Sequence, residues 1–152
     1  MKEIEGDLIK LAKEGEFNVI IHGCNCHCKM GSGIAKQIKK KCRAAYLVDQ
    51  KTISGDKSKL GKITYALISN KNEHTYTVVN AYTQYDYNKY KINIDYDALR
   101  SCFKEIKKQF SGKRIGIPLI GAGLAGGNWN KISDIIEEEM EDENITLVKY
   151  NG

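Results

Sequence analysis

The chain has 152 residues, enough for one domain with a real core and too few for two. Its 41% hydrophobic content is that of an ordinary globular protein, no run is long enough to span a bilayer, and the charged start MKEIEGDLIK excludes a signal peptide. A net charge of +5 is compatible with a small anionic ligand and does not by itself demand nucleic acid, and five cysteines, an odd number, argue against a disulfide framework and for reduced thiols inside a cell.

Lys2 to Glu5 alternates weakly and reads as an edge strand. Gly6-Asp7-Leu8 makes a turn, after which Asp7 either caps a short helix running to Ala12 or faces a ligand. Phe17 to Ile21 is apolar and β-branched, hence a buried strand, and it feeds a loop of small and polar residues from His22 to Ser32. Ile34, Ile38 and Cys42 recur at helical spacing, so a helix is expected from Gly33 to about Arg43 and a second from Tyr46 to Ile53. Gly61–Ser69 and Thr75–Tyr82 flank the turn residues Asn70 to Glu73 and read as a hairpin. Beyond a tyrosine-rich loop to Lys91, Tyr96, Leu99, Phe103, Ile106 and Phe110 mark one face of a helix capped by Asp95. Arg114 to Ile120 is a strand that runs into a second glycine loop. Trp129, Ile132, Ile136 and Met140 face one way along a further helix, and Ile145 to Tyr150 is the last strand. Alternating strands and helices around a central hairpin imply an α/β fold, a three-layer α/β/α sandwich with a mixed sheet, over residues 1–152 as a single domain.

Both glycine loops, Gly31-Ser32-Gly33-Ile34 and Gly121-Ala122-Gly123-Leu124-Ala125-Gly126, lie between an apolar strand and a helix. Amide hydrogens at a helix start are unpaired and the helix dipole favours an anion there, so each loop is a phosphate-binding candidate. Two such loops suggest two phosphates, or a phosphate flanked by sugars. His22 at the loop mouth can move a proton, hydrogen-bond a ribose hydroxyl, or be a satisfied structural histidine. Asn25 can serve a sugar or its own loop. Cys24-x-Cys26-x-Cys28 has neither zinc-knuckle spacing nor a second ligand pair, and no Cys has the arginine six residues on that a cysteine phosphatase needs, so no metal or cofactor is expected. Lys36 to Arg43 reads first as a solvated helix face and second as a nucleic-acid patch.

Together these segments resemble the macro domain, an ADP-ribose-binding module, over nearly the whole chain. Gly6-Asp7-Leu8 resembles the family's G-D-[IL] segment, whose acid reads the adenine amino group. His22 to Ala35 resembles its first loop, with Asn25 on the second asparagine and His22 replacing the first. Ile117 to Gly126 resembles its second loop. The stretch Ile21-His22-Gly23-Cys24-Asn25-Cys26 is similar to yeast-type ADP-ribose-1″-phosphate phosphatases, which implies a catalytic role for His22. Members that remove ADP-ribose from glutamate use a lysine and an aspartate whose positions here are Gln84 and Ala125, which argues against that chemistry. The resemblance implies ADP-ribose or ADP-ribose 1″-phosphate as ligand, held by Asp7, Leu8, Asn25, Gly31 to Ile34 and Gly121 to Gly126. It also implies a monomer without membrane or nucleic-acid partners, working in a cytoplasm, that of a host if the source is viral.

Overall fold

The computed structural model describes residues 1–123 and 125–151. Leu124, one of the expected ligand contacts, lies outside the described residues. Six strands form one sheet: β1 (Lys2–Glu5), β2 (Val19–Cys24), β3 (Ile63–Ile68), β4 (Tyr76–Tyr82), β5 (Ile115–Ile117) and β6 (Ile145–Lys149), in the order β1-β6-β5-β2-β4-β3. All neighbours are parallel except the β3–β4 hairpin, which is antiparallel with Ile63 opposite Ala81. A sheet with helices on both faces buries its strands on both sides, which is why β2 and β4 read as near-continuous apolar runs.

Among the described residues five α-helices cover it: α1 (Leu8–Lys13), α2 (Gly33–Lys41), α3 (Arg43–Gln50), α4 (Tyr96–Phe110) and α5 (Trp129–Glu139). Successive side chains of a strand point to opposite faces. Ile20, Cys24, Val78 and Tyr82 accordingly pack with Leu8, Ile38 and Ala45 under α1, α2 and α3. Val19, Ile21, Val79 and Ala81 pack with Leu99, Phe103, Ile132 and Ile136 under α4 and α5. The result is the three-layer sandwich that the sequence implies. Asp7, Asp95 and Asn128 cap α1, α4 and α5 by accepting from Lys10 N, Ala98 N and Lys131 N.

Three elements differ from the sequence expectation. β2 runs on through His22 and Gly23 to Cys24, because pairing with Asn80, Ala81 and Tyr82 of β4 extends the ladder beyond the apolar residues. The first helix stops at Lys41 and the second starts at Arg43, the chain turning at Cys42, whose backbone leaves the helical region at φ −127° and ψ 59°. β5 is only three residues long, since Pro118 has no N–H to continue the ladder.

Candidate functional site

A cleft of about 1170 Å³ opens at the carboxyl ends of the parallel strands. Open α/β sheets bind ligands at that edge. β2 and β5 are neighbours, with Val19 opposite Ile115, so the two glycine loops that follow them stand side by side. Asp7 and Leu8 line one end of the cleft, with Val148, Lys149 and Tyr150 from the end of β6 beside them. Asn25 and the run from Gly31 to Ile34 line one long wall, and Gly121, Gly123 and Ala125 line the other. The structure thus brings most of the sequence candidates around one cavity.

The first loop ends where α2 begins. Ser32 sits at the cap position but its hydroxyl makes no cap hydrogen bond, unlike the capping side chains of α1, α4 and α5. Among the described residues, the N–H groups of Gly31 to Ile34 donate to no protein acceptor. In the second loop, the Gly126 N–H donates to the Gly123 carbonyl at 3.0 Å and Gly127 N–H to the Gly121 carbonyl at 2.7 Å. Those bonds fold the loop and leave Gly123 facing the cavity. A β-carbon at Gly31 or Gly123 would meet no protein atom within 4 Å, whereas one at Gly121, where φ is +73°, would lie 2.1 Å from Ile94 Cδ1. Gly121 is therefore a glycine for the fold, while Gly31 and Gly123 leave the cavity open. Amides without a described acceptor at Gly31 to Ile34, with an open second wall at Gly123, suit an anion.

Asp7 caps α1 and also lines the cleft. Its Oδ1 accepts from Lys10 N at 3.1 Å, capping α1, and the carboxylate still borders the cleft. Asn25 is engaged with its own loop: Oδ1 accepts from His27 N at 2.9 Å and Nδ2 donates to the Lys29 carbonyl at 2.9 Å. The second amide hydrogen of Asn25 remains for a ligand. Ala122 and Gly126 do not line the cleft. Ala122 packs on the core under α4 and α5, and Gly126 supports the turn behind the wall.

His22 is the main correction to the sequence reading. It lies in β2, not in the loop, and is 1% exposed. Its Nε2 donates to Asn80 Oδ1 at 2.6 Å; Asn80 Nδ2 donates in turn to the Ala45 carbonyl at 3.0 Å and to Thr64 Oγ1 at 3.1 Å, which fixes the amide and hence the tautomer. Cys24 Sγ lies 3.8 Å from Nδ1, and it is Cys24, not His22, that borders the cleft. Burial pushes the imidazole pKa down to about 4, against a smaller upward pull from Asn80. Burial also raises the Cys24 thiol well above its usual range. The covered ring therefore makes no direct contact with the cleft.

Sequence reading missed the network beneath the first loop. Lys59, 7% exposed, donates to the Cys26 carbonyl at 2.9 Å and to the Ile53 carbonyl at 3.2 Å, and Nζ lies 3.5 Å from Cys28 Sγ. Cys28 Sγ is also 3.3 Å from Thr52 Oγ1. Buried Asp49 accepts from Tyr82 OH at 2.8 Å, and desolvation raises its carboxyl pKa. These groups tie the loop to the segment after α3. A lysine in a polar stretch gives no signal of burial. Asn93, also missed, borders the cleft, and its buried Oδ1 has no partner among the described residues, so it can accept from a hydroxyl. No cluster of metal-ligating side chains occurs among the described residues, and no described helix is long and apolar enough to cross a membrane.

A family model described as the macro domain matches residues 21–136. The 17.5 kDa protein of the tk-vs intergenic region of Enterobacteria phage T4 is 34% identical over 156 residues, covering 99% of this chain and 96% of that protein. The ADP-ribose glycohydrolase OARD1 of Bos taurus is 29% identical over 153 residues, covering 97% of this chain and 88% of that protein. A crystal structure of a Bacteroides thetaiotaomicron protein superimposes with a TM-score of 0.79 at 29% identity, covering 99% of this chain and 98% of that one.

Proposed function

The chain belongs to the macro domain family, and from that premise we propose that its cleft binds ADP-ribose. The observation that carries this reading is the pair of open glycine walls, with unpaired amides on one sheet edge and a carboxylate at one end. The adenine sits by Asp7 and Leu8, its amino group donating to the free Asp7 oxygen. The diphosphate crosses between Gly31 to Ile34 and the second loop from Gly121 to Gly126, Leu124 included. The distal ribose lies toward Asn25, Ala125 and Asn93. Residues 1–152 act as one module, in a cytoplasm.

The finer proposal is that the bound molecule is ADP-ribose 1″-phosphate and that it is hydrolysed. Water attacks phosphorus, the bond from phosphorus to the 1″ oxygen breaks, and ADP-ribose and phosphate leave. Amides of the two loops stabilise charge on the phosphoryl oxygens without reorganising, which is where most of such a rate gain arises. His22 enters as a positioning group that holds Asn80 and backs Cys24 beneath the cleft floor. The buried, neutral state of His22 favours a second reading, a module that holds ADP-ribose without turnover. Glycohydrolase chemistry, the activity in the bovine relative's name, finds little support: Gln84 donates to the Asp86 carbonyl at 2.7 Å and Ala125 has no functional group.

Isothermal titration with ADP-ribose, on wild type, Asp7→Ala and Asp7→Ser, tests the ligand. Serine keeps the helix cap but cannot reach the adenine, so both variants bind weakly while only alanine loses about 1 kcal/mol of stability. No heat with wild type overturns the reading. Phosphate release from ADP-ribose 1″-phosphate then separates the enzyme from the reader.

A further inference from the structure

We propose that the face formed by α2 and the start of α3, together with the tyrosine loop bordering the cleft, binds single-stranded nucleic acid. From Phe17 to Val48 the sequence has no acidic residue and six cations: Lys29, Lys36, Lys39, Lys40, Lys41 and Arg43. Read as sequence, that run was first a solvated helix face. Three structural observations change its weight.

The first is that four of these cations, Lys36, Lys39, Lys40 and Arg43, line one groove and remain uncompensated. Among the described residues none of the six lies within 4 Å of a carboxylate, whereas Arg100 and Lys104 on α4, in the opposite layer, are paired with Glu138 and Glu139. Lys39 Nζ and Arg43 Cζ lie 4.9 and 4.8 Å from the Tyr46 ring centroid, which holds two of the charges in place. Like charges left unpaired along one face repel each other, and a polyanion relieves that repulsion.

The second is a groove of about 610 Å³ along this face, lined by Met30, Gly31, Lys36, Gln37, Lys39, Lys40 and Arg43. Met30, Gly31, Gln37 and Lys39 also line the main cleft, so groove and cleft run into one another. The third is the tyrosine loop, whose Tyr87 ring stands edge-on to His27 of the first loop at 5.7 Å. Tyr87 and Tyr90 are 53% and 86% exposed, Lys89 Nζ sits 5.2 Å from the Tyr90 centroid, and Lys91 alone is paired, with Asp86 at 3.5 Å. Tyr87 borders the cleft.

A backbone-tracking cationic groove with exposed rings for stacking is how proteins hold a single strand without reading its sequence. An acidic peptide would use the cations and leave the rings idle, so the pairing of the two favours nucleic acid. The proposal does not depend on ADP-ribose binding.

The test is fluorescence anisotropy with a labelled twenty-residue oligo-dT, titrated at several salt concentrations. Affinity should fall linearly in log-log form with salt, by about 0.7 in slope per phosphate neutralised. Lys36→Glu with Lys40→Glu should weaken binding at least tenfold and flatten the slope by about one, with Lys36→Ala/Lys40→Ala as the milder pair. Tyr90→Ala should weaken it about tenfold, and Lys108→Glu in the opposite layer should not. Circular dichroism checks folding, and ADP-ribose titration of the same variants keeps the two readings apart. Undetectable or salt-independent binding, indifference to the lysine pairs, or equal affinity for poly-glutamate of matched charge would overturn the proposal.

Discussion

At the scale of single residues, two glycines of the same loop should fail in opposite ways. Gly121→Ala puts a methyl into Ile94 at a positive φ and should cost about 2 kcal/mol or more of stability. A β-carbon at Gly123 meets no described protein atom within 4 Å, so the melting temperature of Gly123→Val should stay close to wild type while ADP-ribose binding is lost, because the side chain enters the space left for the ligand. Thermal melts and titration calorimetry on the two variants would separate folding from binding; retained binding by Gly123→Val would refute the placement of the ligand. His22 makes a pH prediction whose sign is fixed. Its folded pKa of about 4 lies below the unfolded 6.5, so the folded protein prefers the neutral ring. Stability is then full above pH 6.5 and falls as pH drops toward 4, by roughly 3 kcal/mol in all. Urea melts at pH 7 and pH 5, compared between wild type and His22→Gln, should show wild type losing more on acidification; equal losses would contradict the burial. Burial is the part of His22 that sequence hid. Three apolar residues before it place it on a strand end, but only the pairing with Asn80 decides that the strand continues and the ring turns inward.

At the scale of elements, the first loop is as rigid as the groups beneath it. Lys59→Met removes the ammonium that bridges the Cys26 and Ile53 carbonyls, which keep only their backbone donors Gly55 N and Asp56 N, and should cost about 1 kcal/mol. It should also weaken ADP-ribose although Lys59 does not line the cleft, with faster hydrogen exchange across residues 25–32; unchanged exchange there would dismiss the tether. The elements legible in the sequence were those with local chemistry: the cap at Asp95, the cap that Asp7 offered as one of two readings, the hairpin turn, and glycines between strand and helix. These signals act over three or four residues, the range in which side chain and backbone compete directly. The Cys42 break and the Lys59 network depend on partners far along the chain, such as Tyr76 OH at 3.4 Å from Cys42 Sγ, and no window of sequence contains them.

At the scale of the molecule, the cleft unites segments from both ends and the middle of the chain, so ligand and fold are thermodynamically linked. ADP-ribose at one hundred times its dissociation constant should stabilise the native state by about 2.7 kcal/mol, a rise of roughly 5–10 °C in melting temperature for a domain of this size. A melting curve indifferent to saturating ligand would contradict binding to the folded state alone. The two helical layers also differ in charge: unpaired cations lie along α2, while Glu137, Glu138, Glu139, Glu141, Asp142 and Glu143 crowd the end of α5 and the turn after it. The molecule is therefore an electrical dipole across its sheet, which orients it toward an anionic partner before contact.

The pairing of β1 with β6, Lys2 opposite Thr146 and Glu5 opposite Lys149, has a consequence in time. Translation delivers β1 about 140 residues before β6, at about 5–20 residues per second, so the earlier strand waits on the order of ten seconds for the neighbour that completes it. The central strands β2 and β4 emerge sooner and can pair while synthesis continues. The first glycine loop, which follows β2, is thus made long before Val148 and Tyr150 complete the Asp7 end of the cleft. On the proposed reading, the wall for phosphate precedes the end that tells adenine from any other base, and selectivity arrives only with β6.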